Sequence, residues 1–122
     1  MMNILVWGAG AIGGAMGAYF SRAGHDVTFV DRVQDHVNAI NAAGLRITGP
    51  IDEFVVNAPA FTTETLTGAY PTILLCVKGQ DTEAATRVLL PHLSPDGCVV
   101  SVQNGLNESI IGEIIGQRRT VG

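Results

Sequence analysis

The chain has 122 residues, a formal net charge of −4, 47% hydrophobic and 15% charged residues, and 15 glycines. That length supports a single domain with a core of its own, and the apolar, glycine-rich composition suits an α/β sheet while excluding a disordered or fibrous chain. The acidic balance excludes the basic face a nucleic-acid partner needs.

Asn3 to Trp7 is an apolar run that enters Gly8-x-Gly10-x-x-Gly13 with no residue between, and it reads as a short buried strand. Ile12, Ala15, Met16, Tyr19, Phe20 and Ala23 then recur at three- and four-residue spacing, so a helix is expected with Gly24 as its stop. A second apolar run, Val27 to Val30, ends at Asp31, about twenty residues beyond the glycines, where the dinucleotide fingerprint expects an acid. In that reading Gly8 turns the chain off the strand, Gly10 lets a diphosphate approach the backbone, and Gly13 brings the helix close to the strand. Ala9, Ala11 and Ile12 lie in the same turn, whose helix start offers unpaired amides and a positive dipole end to an anion. The alternative is a glycine-rich turn in some other α/β protein.

Val33, Val37, Ile40 and Ala43 mark one face of a second helix closed by Gly44. Leu45 and Ile47 alternate with polar residues, and a turn at Gly49-Pro50 leads to alternating Phe54 to Ala58, the pattern of a small hairpin. Pro59 to Pro71 has no clear period and reads as loop with one helical turn at most. Thr72 to Val77 is an unbroken apolar strand, expected to be central. Lys78-Gly79-Gln80-Asp81-Thr82 follows, then a helix ending at Leu90 before Pro91. Ser94-Pro95-Asp96-Gly97 reads as a turn and Cys98 to Val102 as another buried strand. Gln103-Asn104-Gly105 comes next, and Asn107 caps a helix carrying Ile110, Ile111, Ile114 and Ile115 up to Gly116. Arg118 to Gly122 resembles the opening of a further strand, which suggests a piece of a longer protein.

In open parallel sheets ligands sit outside the carboxyl ends of the strands, the edge where Gly8 to Gly13, Lys78 and Asn104 fall. Lys78 is the only lysine in the chain; it reads either as a placed cation or as a solvated strand end, and Asn104-Gly105 either as a ligand contact or as the turn opening a helix. Cys76 and Cys98 lie in predicted strands without metal-ligand spacing and read as apolar fillers in a reducing compartment. His25, His36 and His92 are expected at solvated helix ends, and no metal site is expected. The N-terminus lacks a secretory signal and no apolar run approaches a membrane span, so the sequence predicts a soluble, cytoplasmic protein.

Taken together, GAGAIGG at Gly8 to Gly14, CVKGQDT at Cys76 to Thr82 and VQNGLN at Val102 to Asn107 resemble the amino-terminal domain of the ketopantoate reductase (2-dehydropantoate 2-reductase) family over essentially the whole chain. The resemblance implies a doubly wound, mostly parallel Rossmann-type NAD(P)-binding domain over 1–122, the N-terminal part of a two-domain enzyme whose helical second domain is absent here. It implies hydride transfer from NADPH to the keto group of 2-dehydropantoate, giving pantoate for pantothenate biosynthesis, with Lys78 and Asn104 near the nicotinamide ribose and the substrate. The family's proton-donating lysine and substrate-binding acid belong to the helical domain. No catalytic residue is therefore assigned in this chain, which is expected to bind cofactor and turn nothing over alone. A second glycine often follows Asn-Gly in the family, whereas Asn107 stands here.

Asp31 is placed to bind the adenosine ribose and repel a 2′-phosphate, while Arg32 matches the position where this family holds that phosphate; the resemblance favours NADP and leaves NAD open. The partner it implies is a small keto acid taken jointly with the missing domain, with homodimerisation of the full-length protein left open. Competing readings are the cofactor half of another 2-keto acid, opine or sugar-phosphate dehydrogenase, and a stand-alone NAD(P)-sensing regulatory domain.

Overall fold

The run Asn3–Trp7 forms strand β1, and four of its five residues are buried because strands flank it on both sides and helices cover both faces. In this computed structural model, which describes residues 2–48, 53–77, 79–102, 116 and 119–121, β1 pairs in parallel with β2 (Asp26–Val30) and with β6 (Tyr70–Leu75). Strands β5 (Ala60–Phe61), β7 (Leu93–Ser101) and β8 (Thr120–Val121) complete one six-stranded sheet, order β5-β2-β1-β6-β7-β8, and the helices α1 (Ala11–Arg22), α2 (Gln34–Ala43) and α3 (Thr82–Leu89) lie between β1 and β2, between β2 and β5, and between β6 and β7. Every pair in it is parallel. β3 (Leu45–Ile47) and β4 (Phe54–Val56) form a separate antiparallel pair, the expected hairpin. The chain runs outward from β1 to β2 and β5, then returns to β6 on the other side of β1. This is the doubly wound α/β arrangement read from the sequence, with its reversal of strand order between β1 and β6.

Period-two alternation splits the core. Leu5, Trp7, Val30, Ile73, Leu75 and Val99 pack with Leu89 of α3 on one face, and Ile4, Val6, Val27, Phe29 and Leu74 pack with Val37 and Ile40 of α2 on the other.

Helix α1 follows its apolar pattern only in part: Met16 and Phe20 pack against the core, but its most deeply buried residues are small. Its buried residues are Gly13, Gly14, Gly17 and Ala18, whereas Ile12 is 63% and Tyr19 44% exposed. Bulk on the sheet side dictates this: a Cβ on Gly17 would run into the Phe29 ring and lie 3.1 Å from Val6 Cγ2. The helix therefore presents its smallest residues inward, and Tyr19 instead packs edge-on against Phe54, with the Arg22 guanidinium 4.1 Å from the Phe54 ring centre.

Three loop readings also change. The segment read as Pro59 to Pro71 loop contains β5, a two-residue strand too short to show a period. Its Ala60 is held by Asn41 of α2, whose side-chain amide donates to the Ala60 carbonyl at 2.8 Å and accepts from its N–H at 2.9 Å. Ser94 to Gly97 is not a free turn. It bulges within β7, where the ladder steps from Tyr70–Leu93 to Thr72–Cys98, and Arg119 braces the bulge by donating to the Ser94 and Gly97 carbonyls. Pro91 lies within a 3-10 turn, Leu90–His92, that joins α3 to β7. The strand expected near the end of the sequence is present as β8. Lys78, the Gly49-Pro50 turn and the segment from Gln103 to Ile115, including Asn104 and Asn107, lie outside the described residues.

Candidate functional site

Three strand ends are tied at the carboxyl edge of the sheet. The Gly8 N–H donates to the Val30 carbonyl at 2.8 Å and the Cys76 N–H to the Trp7 carbonyl at 2.9 Å, so the ends of β2, β1 and β6 lie side by side. Gly8 adopts φ +100°, and a Cβ there would stand 3.0 Å from the Cys76 carbonyl oxygen; only glycine makes this turn without strain. A Cβ on Gly13 would collide with the Gly8 carbonyl oxygen, which is why the helix can start so close to the strand it leaves. Gly10 differs from both, because nothing lies within 4 Å of the position its Cβ would take. That open space is where a ligand can touch backbone.

The helical ladder of α1 begins with Gly14 N–H to the Gly10 carbonyl at 2.7 Å, so the amides of Ala11, Ile12 and Gly13 precede any intrahelical partner. The first turn holds no acidic side chain to compete for them. Ala11 and Ile12 are exposed and Ala9 is buried.

Asp31 follows β2 directly. Its Oδ2 accepts the Ala9 N–H at 2.9 Å and its Oδ1 the Val33 N–H at 3.0 Å. The expected acid is thus in place, but both of its oxygens already serve backbone amides. Arg32 is exposed and, among the described residues, has no hydrogen-bond or ion-pair partner.

A cleft of about 470 Å³ opens between these groups and α3. Gly8, Gly10, Asp31 and Arg32 border it, and Trp7 and Cys76 also line it. The wall that sequence reasoning missed consists of Val33, Thr63, Asp81, Ala84, Ala85 and Val88. Val33 is 50% and Val88 48% exposed, so apolar side chains face open space across the slot. The signal was present, since 81, 84, 85 and 88 fall on one stripe running from the N-cap along α3, beside the buried Thr82, Thr86 and Leu89. Next to Thr63, the Glu64 carboxyl is held below its usual pKa by its own backbone amide and by the Thr62 and Thr63 hydroxyls.

Of the cysteine and histidine readings, one shifts, that of His36. Both cysteines are free and half-buried; Cys76 lines the cleft, and burial pushes its thiol up to about 11, making it a poor nucleophile. His36 lies in the first turn of α2 but is not solvated. It is half-buried in α2, and its Nε2 donates to the Ala9 carbonyl at 2.6 Å. His25 Nδ1 accepts the Met2 N–H, and His92 Nδ1 donates to the Gly68 carbonyl. Among the described residues no cluster of His, Cys, Asp or Glu is arranged to hold a metal ion, and no helix is long and apolar enough to cross a membrane.

Comparison with known proteins gives a consistent picture. The family description "Ketopantoate reductase PanE/ApbA" matches residues 4–122. A 2-dehydropantoate 2-reductase of Pyrococcus horikoshii is 37% identical over 118 residues, covering 95% of this chain and 38% of that protein. Among solved structures, a PanE/ApbA family ketopantoate reductase from Ralstonia eutropha superposes with a TM-score of 0.87 at 31% identity, over 98% of this chain and 39% of its own. D-mandelate dehydrogenase with NADH and anilino(oxo)acetate superposes at 0.89 with 24% identity, over 98% of this chain and 39% of its own, a likeness of fold alone. The chain thus spans about two fifths of the length of the relatives it matches.

Proposed function

This chain belongs to the ketopantoate reductase family, and on that premise we propose that it is the NADPH-binding domain, over 1–122, of a cytoplasmic oxidoreductase that reduces the keto group of 2-dehydropantoate to give pantoate. The observation that carries the reading is the turn from Gly8 to Gly13, where a side chain is barred at Gly8 and Gly13 but open space lies over Gly10. A diphosphate fits there: it needs backbone amides, a helix start and no Cβ, and the chain supplies all three.

Each described residue then has a task. The amides of Ala11, Ile12 and Gly13 hold the diphosphate, and Val33, Ala84, Ala85 and Val88 sandwich the adenine between apolar walls. The cleft volume lies within the range of roughly 300 to 1,000 Å³ common for ligand sites. Arg32 is the group for the 2′-phosphate. The engagement of both Asp31 oxygens with amides supports NADP over NAD, because it leaves the Arg32 guanidinium, without a partner among the described residues, as the available charge at the cleft. Lys78 and Asn104, outside the described residues, take the nicotinamide end by their resemblance to the family motifs. The bound cofactor supplies hydride, and this chain's share is to bind and orient it so that hydride and carbonyl meet at attack distance. The keto acid is recognised jointly with the remainder of the protein.

The test is titration with NADPH, NADH and ADP-ribose, read through the fluorescence of Trp7, the only tryptophan and a wall of the cleft. It is followed by assay of the full-length protein with 2-dehydropantoate and other keto acids. Gly10→Ala should leave unfolding nearly unchanged and remove most NADPH affinity. Wild-type protein that does not bind NADPH would refute the proposal.

A further inference from the structure

Ala9 stands at the middle of a turn bounded by Gly8 and Gly10, the place where the backbone has most freedom to lose on binding. Both of its backbone polar groups are nevertheless engaged by side chains from distant parts of the chain. Its N–H donates to Asp31 Oδ2 at 2.9 Å, and its carbonyl accepts from His36 Nε2 at 2.6 Å. Ala9 itself is 2% exposed. Resting on the dinucleotide reading above, we propose that Asp31 and His36 are positioning residues that clamp Ala9 from both sides and so hold the turn in its binding shape before a diphosphate arrives.

The clamp sits on rigid supports. Asp31 is oriented by its second bond, to the Val33 N–H at 3.0 Å, and His36 precedes Val37, which with Ile40 anchors α2 in the core. A carbonyl only accepts, so His36 Nε2 carries the proton. The Ala9 carbonyl and the Gly10 N–H share one planar peptide and point in opposite directions. Fixing the carbonyl on His36 therefore fixes the Gly10 N–H, at the residue with open space above it. A turn held this way loses less freedom on binding, and the benefit appears as affinity for the diphosphate rather than for the adenosine end.

Two measurements test it. In ligand-free protein, His36→Leu should speed amide exchange at Ala9, whose N–H is held by Asp31, about ten-fold, the equivalent of one hydrogen bond, while Leu5 and Val6 of β1 stay unchanged. His36→Gln, which keeps an N–H donor of similar reach, should restore protection. Titrated through Trp7 fluorescence, His36→Leu should bind NADPH about five-fold more weakly and adenosine 2′-phosphate, which has no diphosphate, as well as wild type does. Should the leucine unsettle α2, His36→Asn, too short to reach Ala9, replaces it in both measurements. Unchanged exchange at Ala9 overturns the clamp, and equal losses for NADPH and adenosine 2′-phosphate overturn its role toward the diphosphate. Wild-type protein that takes no NADPH instead overturns the cofactor reading, and the purpose assigned to the clamp with it.

Discussion

Two adjacent glycines in α1 should respond to the same substitution with opposite signs. Alanine is favoured over glycine in a helix interior by about 1 kcal/mol, so each replacement begins with that gain. At Gly14 the new methyl would lie 3.4 Å from Leu45 Cδ2 and 3.5 Å from the Ala9 carbonyl oxygen, ordinary contact distances, so Gly14→Ala should stabilise by roughly 0.5 to 1 kcal/mol. At Gly13 the methyl would collide with the Gly8 carbonyl oxygen and lie 3.0 Å from Cys76 Cβ. This obstacle is backbone, locked by the +100° φ of Gly8 and its 2.8 Å bond to Val30, and it cannot swing aside as a side chain would. Overpacking of this kind typically destabilises by about 1 to 3 kcal/mol, and an immovable neighbour places Gly13→Ala at the upper end, a net loss of about 2 kcal/mol. For a domain of this size that is a fall in Tm of roughly 10 °C, against a rise of a few degrees for Gly14→Ala. Urea and thermal unfolding followed by circular dichroism and by Trp7 fluorescence would read both. Shifts of the same sign, or a Gly13→Ala protein as stable as wild type, would refute the packing argument.

Arg32→Ala should weaken NADPH at least ten-fold, the scale of a charge-assisted hydrogen bond to phosphate, while NADH changes little; equal losses in parallel titrations would overturn the assignment of Arg32 to the 2′-phosphate. Burial pushes the Cys76 thiol up to about 11, above the 9.0 of a free thiol. Its stabilising contribution is therefore complete below about pH 9 and is lost as pH rises toward 11. Urea midpoints measured across that window should fall for wild type and fall less for Cys76→Ala, and parallel curves would contradict it; iodoacetamide should label Cys76 slowly at neutral pH. Asn41→Leu removes both side-chain bonds to Ala60 and should destabilise by about 1 to 3 kcal/mol. Faster amide exchange at Ala60 is the local readout, and an unchanged rate would count against it.

The βαβ start was legible because each signal there is local: an apolar run, glycines at fixed spacing, and an acid at the end of the next run. Gly44, with φ +81°, closes α2 as its position after the periodic residues suggested. The most deeply buried residues of α1 were not legible, since spacing shows only where apolar residues recur. Which residues turn fully inward depends on Phe29 and Val6, which come from the sheet and leave no room for a side chain at position 17. β5 has no period because two residues cannot show one; it exists through its pairing with β2 and through Asn41. At the site, Gly8, Gly10, Gly13 and Asp31 could be named from spacing, but the bond from the Ala9 N–H to Asp31 needs β2 beside the turn, and the role of His36 appears only when α2 folds back over it. The α3 wall was written in the stripe of 81, 84, 85 and 88, yet two alanines and a valine announce nothing until they face Val33 across a slot.

Asn41 has a consequence beyond the strength of two bonds. β5 lies at the outer margin of the sheet, and in parallel pairing with β2 it is Pro59 and Phe61 that face inward, accepting from Phe29 and Asp31. Ala60 between them directs its N–H and carbonyl outward, the pair a foreign strand would need to dock and extend the sheet. The carboxamide of Asn41 mimics that strand with a single side chain and terminates the ladder there. Its loss should make this margin adhesive and favour self-association of the protein during refolding.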